Sequence, residues 1–359
     1  MSDPALNWLL NDYQNAPAEL PSVWLCDEAM SGFTEHLPVR DCSQFISNRW
    51  DVYTGLSQQQ QRVLFNDFDL SHIADDSQAR VYYRISKEKP VVHHIINAAA
   101  RVLQPGGELI IVGLKNEGAK NILDKAATVL GSPKMTQKNG LSYSARLVKK
   151  SLSTPLDDSD YTRLRAIAQL TGGDNNEYSL YSKPGQFGWQ KIDAGSDFLL
   201  STLQQQNASL ANNTHLTVLD LGCGYGYLSC RAAQDLLIPP TSHFTLTDNN
   251  AAALHSARYN CAQLGLQATV VAADAGKEIE QRFDLLLCNP PFHQGFSLSD
   301  ELTERFIASA SAHLKPNGYA YFVVNAFIGI EQKSKAYFKV CHELDNNRKF
   351  KVLAFSQPR

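Results

Sequence analysis

The chain lacks any apolar run of the roughly 18 residues that a membrane-crossing helix needs, so an integral membrane protein is excluded as the expectation. Its first residues, Met1 to Pro17, carry no basic segment and no small-residue cleavage site. No signal peptide is expected, and the cytoplasm is the expected location. Paired cysteines are also missing. The seven present (26, 42, 223, 230, 261, 288 and 341) are an odd number without a C-x-x-C spacing, and Cys223 and Cys230 have no histidine near them in sequence. Neither a disulfide framework nor a zinc site is expected, only free thiols acting mostly as small core residues. Charge of one sign is lacking too: the net charge of −3 rules out polyanion binding by the whole surface. One local excess stands out. Between Glu331 and Arg359 there are seven Lys or Arg against three acids, which reads equally as a solvated domain end or as a patch facing RNA.

What is present is an ordinary globular composition, 43% hydrophobic and 19% charged, over a length of 359 residues that suits two domains. Two stretches look alike: Ala100 to Gly113 and Ser311 to Asn325. Each reads as a helix end, a Pro-Gly or Pro-Asn-Gly stop, and a continuous apolar strand. Each is preceded by another apolar strand, Ala79–Ile85 or Phe283–Cys288. Each half also opens with one, Val23–Cys26 or Leu216–Leu221. Strands alternating with helical segments predict parallel α/β sheets covered on both faces, present here as two tandem copies. Residues 1–150 are assigned to the first domain and 186–359 to the second. The stretch 151–185, rich in Ser, Asp, Asn and Gly, is assigned to a linker with one short helix at Tyr161–Leu170.

Chemistry concentrates in the second half. A strand through Val218 and Asp220 runs into Gly222, Gly224 and Gly226, then into a helix near Tyr227. Glycines permit positive φ and let a ligand touch bare backbone, while a helix start offers free N–H groups. Asp248 ends the next strand, where a carboxylate can accept hydrogen bonds from both ribose hydroxyls. A glycine loop followed by an acid serves a nicotinamide dinucleotide as well as a methyl donor. Asp220 ahead of the glycines shifts the balance toward the methyl donor, and Asn289-Pro-Pro-Phe292 decides it. Two prolines after a central strand remove ladder donors, so they are a poor structural choice. They do fix a rigid turn at the sheet's carboxyl edge. There Asn289 Oδ1 and the Pro290 carbonyl can accept both hydrogens of a planar NH2 group, and Phe292 can stack on a base. Gripping both hydrogens favours the sp3 nitrogen whose lone pair can attack a methyl group.

These motifs, with Asp274 inside Ala272–Ala275, resemble class I S-adenosylmethionine-dependent methyltransferases. Leu287–Gln294, Val324–Phe327 and Asn347–Val352 make the chain similar to the bacterial ribosomal-RNA guanine-N2 methyltransferases. That family carries a decayed methyltransferase domain ahead of the active one. The resemblance therefore implies an α/β fold of two tandem Rossmann-like class I methyltransferase domains, the first degenerate. It implies S-adenosylmethionine as cofactor, with Gly222, Gly224 and Gly226 along its methionine end and Asp220 among its contacts. It gives Asp248 the ribose and Asp274 the adenine amino group, with Ala273 beside the ring. Asn289, Pro290 and Phe292 would hold the guanine. Gly185–Leu200 matches the family segment that covers the donor, which puts Phe187 and Asp193 at the cofactor; it departs at Gly188 and Trp189, where a serine and a basic residue are commoner. His293 reads either as an RNA contact or as a local hydrogen-bonding residue. The implied partner is ribosomal RNA or a ribosomal subunit, with the protein a monomer and no metal. Val81–Tyr83 and Lys87–Pro90 stand nearer the small-subunit (30S, 16S) enzymes, whereas Asn346–Phe350 leans to the large-subunit (23S) ones; the small subunit is the reading taken.

The first half has no glycine triplet in Val23–Gly32 and no Asn or aromatic in Arg84–Pro90, so a second active site is not expected. Arg84, Lys87, Lys89, Lys115 and Lys120 form either an RNA-positioning surface or a merely solubilising set. Two rivals remain: a glutamine or adenine-N6 amino methyltransferase, and a dead fold kept as an RNA-binding assembly module.

Overall fold

The computed structural model describes residues 3–33, 36–206, 215–239, 241–291 and 296–359, apart from the side chains of 296–300. The chain divides into two compact units, Met1–Arg163 and Leu164–Arg359.

In the first unit, helix α1 (Pro4–Asn15) starts where Asp3 accepts the N–H groups of Ala5 and Leu6, with Pro4 at the first position. Strands β1 (Ser22–Cys26), β2 (Ser43–Ser47), β3 (Val63–Phe65), β4 (Gln78–Arg84), β5 (Leu103–Leu114), β6 (Gln137–Asn139) and β7 (Ser142–Val148) form one sheet, interleaved with α2 (Trp50–Gln58), α3 (Lys89–Val102) and α4 (Ala119–Leu130). The strand order is β3-β2-β1-β4-β5-β7-β6.

The second unit opens with the hairpin β8 (Arg165–Thr171) and β9 (Glu177–Ser182), then α5 (Ala194–Gln205). Its sheet contains β10 (Thr217–Leu221), β11 (His243–Asp248), β12 (Ala268–Ala272), β13 (Phe283–Cys288), β14 (Leu314–Asn325), β15 (Phe338–Asn346) and β16 (Phe350–Pro358). The helices are α6 (Tyr227–Gln234), α7 (Ala251–Gln263), α8 (Phe296–His313) and the short α9 (Ile330–Ser334). The order β12-β11-β10-β13-β14-β16-β15 repeats that of the first sheet strand for strand. In each, six strands run the same way and one, β7 or β16, runs antiparallel between its two neighbours. Alternation along β10 and β13 divides the core between two faces: Val218, Leu285 and Leu287 pack on one, Leu219, Leu221 and Leu286 on the other.

Two expectations are corrected. Tyr161–Leu170 is not a helix: β8 pairs with β9 in an antiparallel hairpin from Arg165↔Ser182 to Thr171↔Glu177. Gly172 to Asn176 form its turn, with the Gly172 N–H on the Asn176 carbonyl at 2.9 Å. The polar Gly-Gly-Asp-Asn-Asn run was a hairpin signal between two alternating segments, and the period of two won. The hairpin is anchored on α7 through Asn260, whose carboxamide both accepts from Tyr181 N and donates to Tyr181 O at 2.8 Å. The second correction concerns Arg84, which is only 3% exposed and belongs to no surface. Its guanidinium donates to Asp3 Oδ2 at 2.8 Å and to Glu117 at 2.6 and 3.0 Å, because a charge buried at a strand end requires paired acids.

Candidate active site

Parallel strands bring their carboxyl ends to one edge, and the expected site residues lie along it in the second unit. β13 ends at Cys288, so Asn289 and the buried Pro290 emerge there. The Asn289 Nδ2 group donates to Asp193 Oδ1 at 2.7 Å and to Ser196 Oγ at 2.9 Å. A carboxylate only accepts, so the NH2 end of this carboxamide must face Asp193. Oδ1 is thereby turned the other way, and no described residue donates to it.

Asp193 is the N-cap of α5, and the same Oδ1 accepts the N–H of Ser196 at 2.9 Å. Gly195 lets the parts meet: a Cβ there would lie 3.1 Å from Asp193 Oδ1 and 3.3 Å from the Phe350 ring. Asp193-Ala-Gly-Ser196 is thus a helix start that doubles as a clamp on Asn289.

The glycine loop lies beside it. Gly222, Gly224 and Gly226 all have positive φ, at 78°, 54° and 84°. A methyl group on Gly222 would press on Phe306 and one on Gly226 on Leu246, but one on Gly224 would meet none of the described residues within 4 Å. That open side is where a ligand can approach backbone. Tyr225, between the last two glycines, has its phenol pKa raised by burial and further by the charge of Asp193, so the loop and the clamp are neighbours.

Asp220 is completely buried under this loop. Ser229 donates to its Oδ2 from N–H at 3.2 Å and from Oγ at 2.7 Å. Its Oδ1 has no partner among the described residues. Burial pushes the carboxyl up to about 7, against the two Ser229 bonds, with the Asp248 charge adding to the rise. Asp248, at the end of β11, accepts the Gly224 N–H at 2.9 Å and the Asn250 N–H at 2.8 Å. Ala273 is buried and donates its N–H to the Asp248 carbonyl at 3.1 Å. Asp274 is ion-paired with Arg305 of α8 and lies 3.5 Å from the Lys277 Nζ.

The structure therefore gathers Asp220, the three glycines, Asp248, Ala273, Asp274, Asn289 and Pro290 at one edge. It sets Asp193 directly on Asn289. Phe187 is 59% exposed. Phe292 and His293 lie outside the described residues. Sequence reasoning missed Ser196, Asn250 and Arg305. Ser196 stands three residues after a capping Asp, which is a readable signal. Asn250 caps α7 and holds Gly185 O with its Nδ2 at 2.8 Å, and Asn before an Ala run also announces a helix start. Arg305 is 31 residues from Asp274 and gives no local sign.

At the same edge of the first unit the groups are different. Asp27 follows β1, is 1% exposed, and accepts the Tyr83 hydroxyl at 2.9 Å. Burial, with Glu28 nearby, holds its carboxyl well above the usual range. Arg84 with Asp3 and Glu117 fills the end of β4, the topological counterpart of β13.

The methyltransferase small domain family matches residues 177–354. The chain is 31% identical over 266 residues to the ribosomal RNA small subunit methyltransferase C of Aeromonas hydrophila, covering 74% of this chain and 73% of that protein. It is 30% identical over 307 residues to the protein of that name from Actinobacillus succinogenes, covering 84% and 85%. Among solved structures, the T. thermophilus 16S rRNA N2 methyltransferase in complex with AdoMet and guanosine superposes with a TM-score of 0.80 at 23% identity. The match covers 99% of this chain and 92% of that one, so the two-unit fold is shared.

Proposed function

This chain belongs to the ribosomal RNA small subunit methyltransferase C family, and on that premise we propose that its second unit methylates the exocyclic N2 of a guanosine in 16S ribosomal RNA, using S-adenosylmethionine. The observation that carries the reading is the grip of Asp193 and Ser196 on the NH2 end of Asn289. It leaves the carboxamide oxygen as an acceptor beside Pro290, at the edge that also holds the glycine loop.

The residues fit the donor. Asp220 Oδ1 is buried with no partner among the described residues, and a Cβ on Gly224 would touch none of them. Gly222, Gly224, Gly226 and Asp220 would hold the methionine end, Asp248 the ribose, and Ala273 with Asp274 the adenine. When bound, the donor supplies a methyl group on a positively charged sulfur.

The chain's own task is to present the amine. Guanine N2 is a weak nucleophile because its lone pair is delocalised into the ring. Asn289 Oδ1 and the Pro290 carbonyl would accept its two N–H groups and favour the pyramidal nitrogen, whose lone pair can form the new N–C bond as the S–C bond breaks. Position and fixed dipoles then supply most of the acceleration. No strong base is needed, since the alkylated amine is acidic enough to release a proton to water. Small subunits, where this RNA is assembled, are the proposed partner.

The test is transfer of a labelled methyl group to the separated ribosomal RNAs and subunits of a strain lacking the gene, followed by nucleoside mass spectrometry. N2-methylguanosine in 16S RNA is expected. Label confined to 23S RNA, to adenine or to protein glutamine would overturn the reading.

A further inference from the structure

Phe327 is 75% exposed, an unusual setting for so large an apolar ring. It lies just past β14, in a turn closed by the Ile328 N–H on the Asn325 carbonyl at 3.0 Å. β14 runs parallel to β13, so this turn stands at the same carboxyl edge as Asn289. β16 runs antiparallel with Asn325 opposite Phe350, which brings the β15–β16 turn to the same place. The two turns are joined by the Ala326 N–H on the Lys349 carbonyl at 2.9 Å.

The β15–β16 turn is built to hold its shape. Asn346 Oδ1 accepts the Arg348 N–H at 2.9 Å, and Asn347 Oδ1 accepts those of Lys349 and Phe350 at 3.0 and 2.7 Å. What it presents outward is Arg348 and Lys349, both exposed and neither ion-paired among the described residues. Lys349 Nζ lies 5.2 Å over the Phe350 ring. Arg348 occupies a left-handed position, φ 69°, where glycine or asparagine would sit without strain. Phe350 in turn reaches Gly195, next to the Asp193 clamp on Asn289.

We infer that Phe327, Arg348 and Lys349 form a rim that binds single-stranded RNA flanking the target nucleotide, with a base stacked on Phe327 and phosphates on the two cations. The inference rests on the reading of the site as an RNA methyltransferase and adds to it the surface that recognises the strand. A bare ring on a turn joined to another that carries two exposed cations suits a polyanion with stacking bases, because every base offers a π-face and every linkage a charge. On a chain with a net charge of −3 such cations are local by necessity.

The test uses full-length protein and a fluorescein-labelled single-stranded RNA of about twelve nucleotides containing guanosine, with binding followed by anisotropy across a salt series. Phe327→Ala weakens binding between roughly 5-fold and 150-fold, the span of one base–aromatic stack. Arg348→Gln with Lys349→Gln lowers the slope of log affinity on log salt by about 1.4, two phosphate contacts on a single strand. Arg348→Lys keeps that slope. In all variants the affinity for S-adenosylmethionine and the melting temperature stay at wild-type values, which separates lost contact from lost fold. Wild-type RNA affinity and salt slope in both altered proteins would overturn the inference. So would a defect confined to assembled subunits and absent with protein-free 16S RNA, because the rim would then meet a protein. Failure of the catalytic reading has a different signature: rim-dependent RNA binding with no methyl transfer by the wild type.

Discussion

Two side chains at the edge of the second sheet have separable jobs. On the proposed reading Asn289→Ala removes the acceptor for the substrate amine, so kcat is expected to fall on the order of 10²-fold, by analogy with deleting one preorganised hydrogen-bonding group. Donor affinity should stay within about 2-fold in calorimetry, since donor and acceptor sides are distinct; its collapse would move Asn289 to the donor side. Asp220 offers a pH test. Its folded value near 7 lies above the ordinary 3.8, so between these values the native chain holds a proton that the unfolded chain has lost. The resulting stability is fully present at acid pH, declines as pH rises from about 4, and is gone above about 7. Asp220→Asn cannot titrate, so its urea midpoint is expected to drop less than the wild type's between pH 5.5 and 8. An equal drop in both proteins would show that Asp220 is ionised throughout.

At the scale of elements, one carboxylate serves a helix start and the Asn289 carboxamide together. Asp193→Ala removes the cap of α5, worth about 1 kcal/mol, and also frees Asn289 to rotate. A fall in kcat of roughly 10-fold or more is expected, with donor affinity nearly unchanged; a calorimetric loss of donor binding would instead give Asp193 the cofactor role that the resemblance implies. The contrast marks what was legible. Strands β11 and β13 were readable because Phe-Thr-Leu-Thr ends at Asp248 and Leu-Leu-Leu-Cys ends at Asn289-Pro290. The glycine loop was readable because only a tight turn between strand and helix needs three glycines in five residues. The β8–β9 hairpin was not, since short half-buried strands with Ala and Gln look helical until the turn is recognised. The Asp193–Asn289 bond spans 96 residues, and Asp274–Arg305 joins a loop to a distant helix. Such pairings depend on which strand ends the topology brings together, and local pattern carries no trace of them.

For the whole molecule, the two sheets share one strand order but not one chemistry. In the first unit the end of β4, the counterpart of β13, is filled by Arg84, 4% exposed in its side chain, with Asp3 and Glu117. Arg84→Ala would strand two acids at a buried strand end and is expected to cost about 3–5 kcal/mol in urea denaturation of the full chain. Donor affinity in the native range should not move; a weaker donor would implicate the first unit in binding. A duplicated architecture whose first copy lacks the glycine triplet after β1, and holds there a buried Asp27 bonded to Tyr83, also sets an expected count. However symmetrical the two halves are in outline, titration with S-adenosylmethionine is expected to saturate at a stoichiometry of one per chain, with the sheet edge of the first unit taking none.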